Sequence, residues 1–118
     1  MATTESLIMN HHHAPLLVLC SFPDEESARR ISTGLLEKQL AACVGFSTTS
    51  SLYRWQGAIE SATETIARIK TTALHFPALQ AYILAHHPYQ VPEIIGLPIN
   101  EISPAYLDWL LESLIKSS

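Results

Sequence analysis

The apolar pattern along the first third of the chain predicts a buried strand followed by a helix. Every residue from Leu16 to Cys20 is apolar, and Pro23 closes the run. A short apolar run of this kind is typical of a strand buried on both faces. We expect Ser21 to cap the helix that follows, with Pro23 in its first turn. Apolar residues then recur at near-helical spacing, at Ala28, Ile31, Leu35 and Leu40.

The middle of the chain predicts a long β-hairpin between the second and third strands. Residues Ala42 to Trp55 are rich in Ser, Thr, Val, Phe and Tyr and show no helical period. Gln56 and Gly57 follow as the turn. The β-branched residues of Ala58–Thr72 favour a strand there, although a helix also fits part of that stretch.

The last third of the chain predicts a helix, a broken edge strand and a closing helix. The helical stripe from Phe76 to His87 ends at Pro88, because the residue before a proline is pushed out of the helical region. Val91–Ile99 is apolar but contains two prolines, which is typical of an edge strand. Pro104 opens the last helix. This order predicts an α+β, ferredoxin-like βαββαβ fold with a C-terminal helix, the helices lying on one side of an antiparallel sheet.

Composition indicates one soluble domain that associates with further copies of itself. The chain has 118 residues, of which 47% are apolar and only 15% charged, against about 25% charged in ordinary soluble domains. Burial between subunits is the simplest cover for such a surface. The formal net charge of −4 argues against nucleic-acid binding, and no apolar run reaches the ~18 residues of a membrane span. We expect a domain over residues 16–118 behind a flexible N-terminal tail over residues 1–15.

Cysteine usage and the first residues of the chain favour a cytoplasmic protein. Residues 1–15 lack the basic start and apolar stretch of a signal peptide. The chain has two cysteines, Cys20 and Cys43, which we interpret as reduced thiols. The sequence contains no glycine-rich phosphate loop, serine elbow or zinc-protease motif. We therefore expect no enzymatic activity.

His86 and His87 are the strongest candidates for chemistry. They stand where a helix is predicted to end, and Glu93 follows in the next segment. Imidazole binds copper and zinc, and an added thiolate makes the site softer. In this fold the end of the first strand can approach the segment after the second helix, which would bring Cys20 to the histidines and let Glu93 orient an imidazole. The alternative is that Cys20 is only a core residue.

A histidine tract near the start of the chain is a separate candidate for metal binding. It consists of His11, His12 and His13. A tract this short is a compositional signal only. We interpret it as part of a solvated tail, and any metal that it binds would be unrelated to the candidate site at His86 and His87.

Aromatic and basic residues meet at the predicted hairpin turn. Tyr53, Arg54 and Trp55 precede the turn, and Lys70 follows later in the third strand. Such residues suit an intersubunit contact or a pocket for an anionic ligand. The alternative, which we weigh equally, is that Tyr53 and Trp55 cover the core of their own subunit.

Six short stretches of the chain carry a family resemblance. They are Val18–Asp24, Leu40–Val44, Ser51–Gly57, Ile69–Thr72, His86–Ile95 and Tyr106–Leu110. In order and spacing, from about Leu16 to Ile115, the chain resembles the CutA family of divalent-cation tolerance proteins.

The resemblance implies a cytoplasmic homotrimer of ferredoxin-like subunits, similar in plan to the PII signalling proteins, whose long hairpin reaches over a neighbouring subunit. Bacterial members of the family are linked to tolerance of copper and other divalent cations. The copper positions of the family fall on Cys20, His86 and His87, so copper is the implied metal, with zinc as a further candidate. No enzymatic activity is implied.

The chain departs from the family pattern in one part of the hairpin. Between Ser61 and Thr65 it carries mostly small and hydroxyl residues, where the family is often more acidic. Two alternatives to copper binding stay open. One is a PII-like signalling module that binds a small anionic ligand at the subunit interface through Arg54, Lys70 and Trp55. The other is a structural trimer whose histidines only cap a helix.

Overall fold

The computed structural model describes residues 13–116, and its elements follow the predicted order. They are β1 (Pro15–Phe22), α1 (Glu25–Glu37), β2 (Cys43–Trp55), β3 (Ala58–Thr72), α2 (Phe76–His86), β4 (Ile94–Pro98) and α3 (Pro104–Glu112). The prediction of an α+β, ferredoxin-like fold is confirmed. His11 and His12, with most of the expected tail, lie outside the described residues. Within residues 13–116, no helix has the length and apolar character needed to cross a membrane.

The four strands form one antiparallel sheet in the order β2-β3-β1-β4. β1 is central and pairs with β3 along its whole length and with β4 over Leu16–Cys20. β4 is the edge strand predicted from its prolines, although it covers only Ile94–Pro98 of the apolar stretch. β2 forms the opposite edge.

β2 and β3 form the predicted long hairpin, so the helical alternative for part of Ala58–Thr72 is wrong. Cys43 pairs with Lys70 at the base of the ladder. Gln56 and Gly57 form the turn with φ values of 49° and 81°, the left-handed conformation that type I′ hairpin turns require. The subunit is elongated, with extents of 54, 25 and 20 Å.

The core lies between one face of the sheet and the helices α1 and α2. Because side chains alternate along a strand, Val18, Cys20 and Phe22 of β1 share this face, and each is fully buried. They belong to one apolar cluster with Ala28, Ile31, Leu35, Ala41, Ala67, Ile69, Leu79 and Ile83. The structure therefore places Cys20 inside the core.

The N-cap of α1 is Asp24, so the expectation that Ser21 caps this helix is wrong. The Asp24 carboxylate accepts a hydrogen bond from the Ser27 backbone N–H at 2.8 Å. Ser21 stays in β1 because the ladder with β3 continues as far as Phe22. Pro23 consequently precedes the helix. A carboxylate suits the N-cap because it also faces the positive end of the helix dipole.

The closing helix α3 lies on the opposite face of the sheet from α1 and α2, so the expectation that the helices share one side is wrong for it. Lys70 Nζ donates a hydrogen bond to Tyr106 Oη of α3 at 3.2 Å. Lys70 follows the core residue Ile69 and therefore points to the other face of β3. Leu107 and Leu110 of α3 are fully buried, so α3 covers apolar surface on this second face.

Gly34 allows α1 and α2 to approach each other closely. A Cβ atom at this position would overlap with the phenol group of Tyr82 in α2. Tyr82 in turn stacks on His86, with ring centroids 4.2 Å apart. The close contact between the helices therefore helps to position the last turn of α2, where the candidate metal ligands begin.

Candidate metal centre

His86 and His87 point to different surroundings because α2 ends between them. His86 is the last residue of the helix, and His87 has extended backbone angles of φ −70° and ψ 138°, as the following Pro88 requires. The His86 ring is exposed and stacks on Tyr82. The His87 ring is buried and stacks on Phe22, with ring centroids 4.7 Å apart. The predicted helix end is confirmed, but it does not aim both rings at one point.

His86 presents a free ring nitrogen to solvent. Its Nδ1 lies 2.8 Å from the Tyr82 carbonyl oxygen. A carbonyl can only accept, so Nδ1 carries the hydrogen and the lone pair of the neutral ring is on Nε2. An exposed Nε2 with its partner nitrogen held by a backbone carbonyl is a common arrangement for a metal-binding histidine.

His87 uses both ring nitrogens within the fold. The Tyr89 backbone N–H donates to Nδ1 at 2.9 Å, so the ring hydrogen is on Nε2. Nε2–H donates to the Ser21 carbonyl oxygen at 2.7 Å. Burial lowers the pKa of His87, while the Ser21 carbonyl and the Glu64 carboxylate oppose this effect. His87 is therefore held neutral, in a single tautomer, with no lone pair left for a metal.

The stability of the protein at mildly acidic pH is expected to depend on His87. Because folding lowers the pKa of His87, the unfolded chain takes up the proton first as the pH falls below about 6.5. The stabilisation is complete above that pH and is lost as the pH falls towards the folded pKa. We expect the free energy of unfolding in urea to drop more between about pH 7 and 5 for the parent than for a His87→Gln variant. Parallel profiles for the two proteins would contradict this.

Cys20 is a masked ligand. It is fully buried and pairs with Ala67 on one side and Ile94 on the other. Burial, and to a smaller degree the Glu93 carboxylate, raises the pKa of the Cys20 thiol to about 12. Since the thiolate is the form that binds metals, Cys20 is not a ready ligand in the closed fold.

The end of β1 does approach the segment after α2, as predicted. Glu93 accepts a hydrogen bond from Ser21 Oγ at 3.2 Å, while the Ser21 carbonyl binds His87. Glu93 thus contacts Ser21 where we expected an imidazole, and it acts on His87 only through that serine. Within residues 13–116, no three His, Cys, Asp or Glu side chains are grouped so that they could hold a metal ion. The predicted ligands lie near one another without forming a coordination sphere.

Two residues of this region were missed by the sequence reasoning, Ser21 and Tyr89. Tyr89 holds His87 through its backbone N–H and donates its phenol hydrogen to Glu64 Oε2 at 3.1 Å. Burial and this hydrogen bond raise the pKa of the Tyr89 phenol to about 12, so it remains a donor. Their positions beside Cys20 and in the His86–Glu93 stretch were the available signal.

The hairpin tip is separate from the histidines and from Lys70. Tyr53 and Trp55 are 45% and 60% exposed, so the alternative that they cover the core of their own subunit is wrong. Arg54 pairs eleven residues further along β2 than Cys43, the partner of Lys70, which at ~3.3 Å per residue is about 36 Å. One subunit therefore cannot bring Arg54 and Lys70 into a common pocket.

Known proteins share both the sequence and the fold of this chain. Residues 16–113 match the family model described as CutA1 divalent ion tolerance protein. The divalent-cation tolerance protein CutA of Thermus thermophilus is 47% identical over 98 residues, which are 82% of this chain and 95% of that protein.

Solved structures agree with this match. The structure of the divalent cation tolerance protein Cut A1 from Thermus thermophilus superposes with a TM-score of 0.82 at 46% identity, covering 85% of this chain and 98% of that one. The periplasmic divalent cation tolerance protein CutA from Archaeoglobus fulgidus gives 0.83 at 36% identity, covering 84% and 97%. As the resemblance of its motifs indicates, the chain belongs to the CutA1 divalent ion tolerance protein family.

Proposed function

We propose that this protein serves divalent-cation tolerance by binding copper, as a cytoplasmic homotrimer without enzymatic activity. The observation that best supports copper binding is the exposed His86 Nε2 lone pair, next in sequence to His87 and near the end of β1 that carries Cys20. Imidazole and thiolate donors together favour Cu(I), and the imidazoles alone also accept Cu(II) or Zn(II). We assign His86 as the first ligand, with His87 and Cys20 completing the site and Glu93 supporting it through Ser21.

Surface chemistry supports assembly with further copies. Both sheet edges, β2 and β4, are unpaired within the subunit, and open edges invite pairing with another chain. Large apolar side chains are also exposed on the hairpin, namely Leu52, Tyr53, Trp55 and Ile59. The homotrimer itself is inferred from the family resemblance.

Free thiols support a reducing compartment. Cys20 and Cys43 are both free cysteines, which suits the cytoplasm. The periplasm, named for the Archaeoglobus fulgidus relative, is the competing location, and cell fractionation with detection of the protein would separate the two.

A second candidate function is binding of a small anionic ligand between subunits. Because Arg54 and Lys70 lie at opposite ends of the hairpin, Arg54 and Trp55 of one copy could meet Lys70 of another. A pocket of this kind would exist only in the assembly, so ligand binding that disappears on dissociation would favour it.

Copper titration of three variants tests the proposed site. All are made in a full-length chain with His11, His12 and His13 replaced by alanine, so that the tract cannot mask the result. Cys20→Ser and the double variant His86→Ala/His87→Ala should each bind Cu(I) more than tenfold more weakly, because each loses a ligand. Cys43→Ser is the matched cysteine control and should bind like the parent. Unchanged affinity in both ligand variants would place the copper site elsewhere.

A further inference from the structure

The segment between α2 and β4, residues 87–93, is held by side chains. Helix bonds end at His86, and the sheet ladder resumes only at Ile94. The segment is fixed at three points: His87 on the Ser21 carbonyl, the Tyr89 phenol on Glu64, and Glu93 on the Ser21 hydroxyl. The Tyr89 N–H to His87 Nδ1 bond closes it internally. These few contacts can open without disturbing the sheet.

Metal coordination by His87 is incompatible with this arrangement, whichever nitrogen is used. A metal on Nδ1 takes the lone pair that accepts the Tyr89 N–H. A metal on Nε2 displaces the Ser21 carbonyl and moves the ring hydrogen to Nδ1, where it faces the Tyr89 N–H as a second donor. In both cases the Tyr89 amide loses its acceptor.

We propose that residues 87–93 form a latch, and that copper binding at His87 and the closed latch exclude each other. The inference rests on the proposed copper site. Copper binding then releases Tyr89 from His87 and from Glu64, and the release reaches β3 of the long hairpin. In the metal-free protein the closed latch lowers the apparent copper affinity by the fraction of molecules that are open.

Hydrogen exchange at the Tyr89 amide tests the latch directly. The experiment uses the full-length chain with His11, His12 and His13 replaced by alanine, and buffered Cu(I) under anaerobic conditions. We expect the Tyr89 amide to exchange faster when Cu(I) is bound, while amides of the β1–β3 ladder keep their protection.

Variants that weaken the latch test it through affinity. Tyr89→Phe removes the phenol hydrogen bond to Glu64 and leaves the candidate ligands intact, so we expect Cu(I) to bind about fivefold more tightly. Glu64→Ala should have a similar effect, and combining the two should add little, because both remove the same hydrogen bond. Glu60→Ala is the matched control, since it removes an equal charge from β3 outside the latch.

The outcomes separate the latch from the copper site. If Cu(I) affinity depends on His87 but neither Tyr89 exchange nor the Tyr89→Phe affinity changes, the latch is overturned and the proposed function stands. If Cu(I) binding does not depend on His87, both proposals fall. Equal tightening in Glu64→Ala and Glu60→Ala would also overturn the latch, because charge alone would then explain the effect.

Discussion

Replacing Trp55 with alanine is expected to weaken self-assembly by at least about thirtyfold, which corresponds to the ~2 kcal/mol of a hot-spot side chain. Trp55 is 60% exposed in the subunit, and Leu52 and Ile59 nearby are 76% and 72% exposed. An apolar cluster of this size at a projecting tip marks an interaction site. Large aromatic residues dominate the energy of such interfaces.

Sedimentation across micromolar concentrations would measure the effect, with thermal unfolding at several concentrations as a second readout. Because assembly stabilises the folded subunit by mass action, the variant should melt at a lower and more concentration-dependent temperature than the parent. Leu84→Ala, which also truncates a half-exposed apolar residue but lies on α2 away from the hairpin, serves as the control. A monomeric parent, or a Trp55→Ala variant that assembles as well as the parent, would contradict the prediction.

The hairpin shows how far local chemistry alone predicts this fold. β-branched residues and a Gln56–Gly57 turn were sufficient to favour two paired strands over a helix, and the ladder confirms both strands. Each of these signals acts within a few residues of the element that it specifies. The order of the elements followed for the same reason.

The two errors in the fold both depend on contacts distant in sequence. Ser21 and Asp24 are equally good N-caps by residue type, and only the pairing of β1 with β3 decides between them. Likewise, the apolar stripe of α3 suits either face of the sheet. α3 covers the second face because α1 and α2 already occupy the first.

The candidate site was predictable in its residues but not in their availability. Metal-binding chemistry singles out Cys20, His86 and His87 from their side chains alone. Whether a ring nitrogen is free depends on its partner, and the His87–Ser21 hydrogen bond joins residues 66 positions apart. No periodicity in the sequence reports such a bond, so the tautomer of each histidine came only from the structure.

Replacing Phe22 with alanine is expected to produce the largest loss of stability, about 3–5 kcal/mol in the free energy of unfolding. Phe22 is fully buried at the end of β1, in the apolar cluster that also contains Cys20. Its ring stacks on His87, so the substitution creates a cavity in the core and also removes one wall of the candidate metal centre. Urea unfolding at one fixed protein concentration would measure the loss, since assembly contributes to the value.

Val18→Ala is the matched control for this effect. Val18 lies on the same strand and the same face as Phe22 and is equally buried, but its truncation removes fewer atoms and touches no histidine. We therefore expect a smaller loss of stability, and a Cys20 thiol that is modified more slowly than in Phe22→Ala when both variants also carry Cys43→Ser. If Phe22→Ala were no less stable than Val18→Ala, the Phe22 ring would not be the support that holds His87 against the sheet.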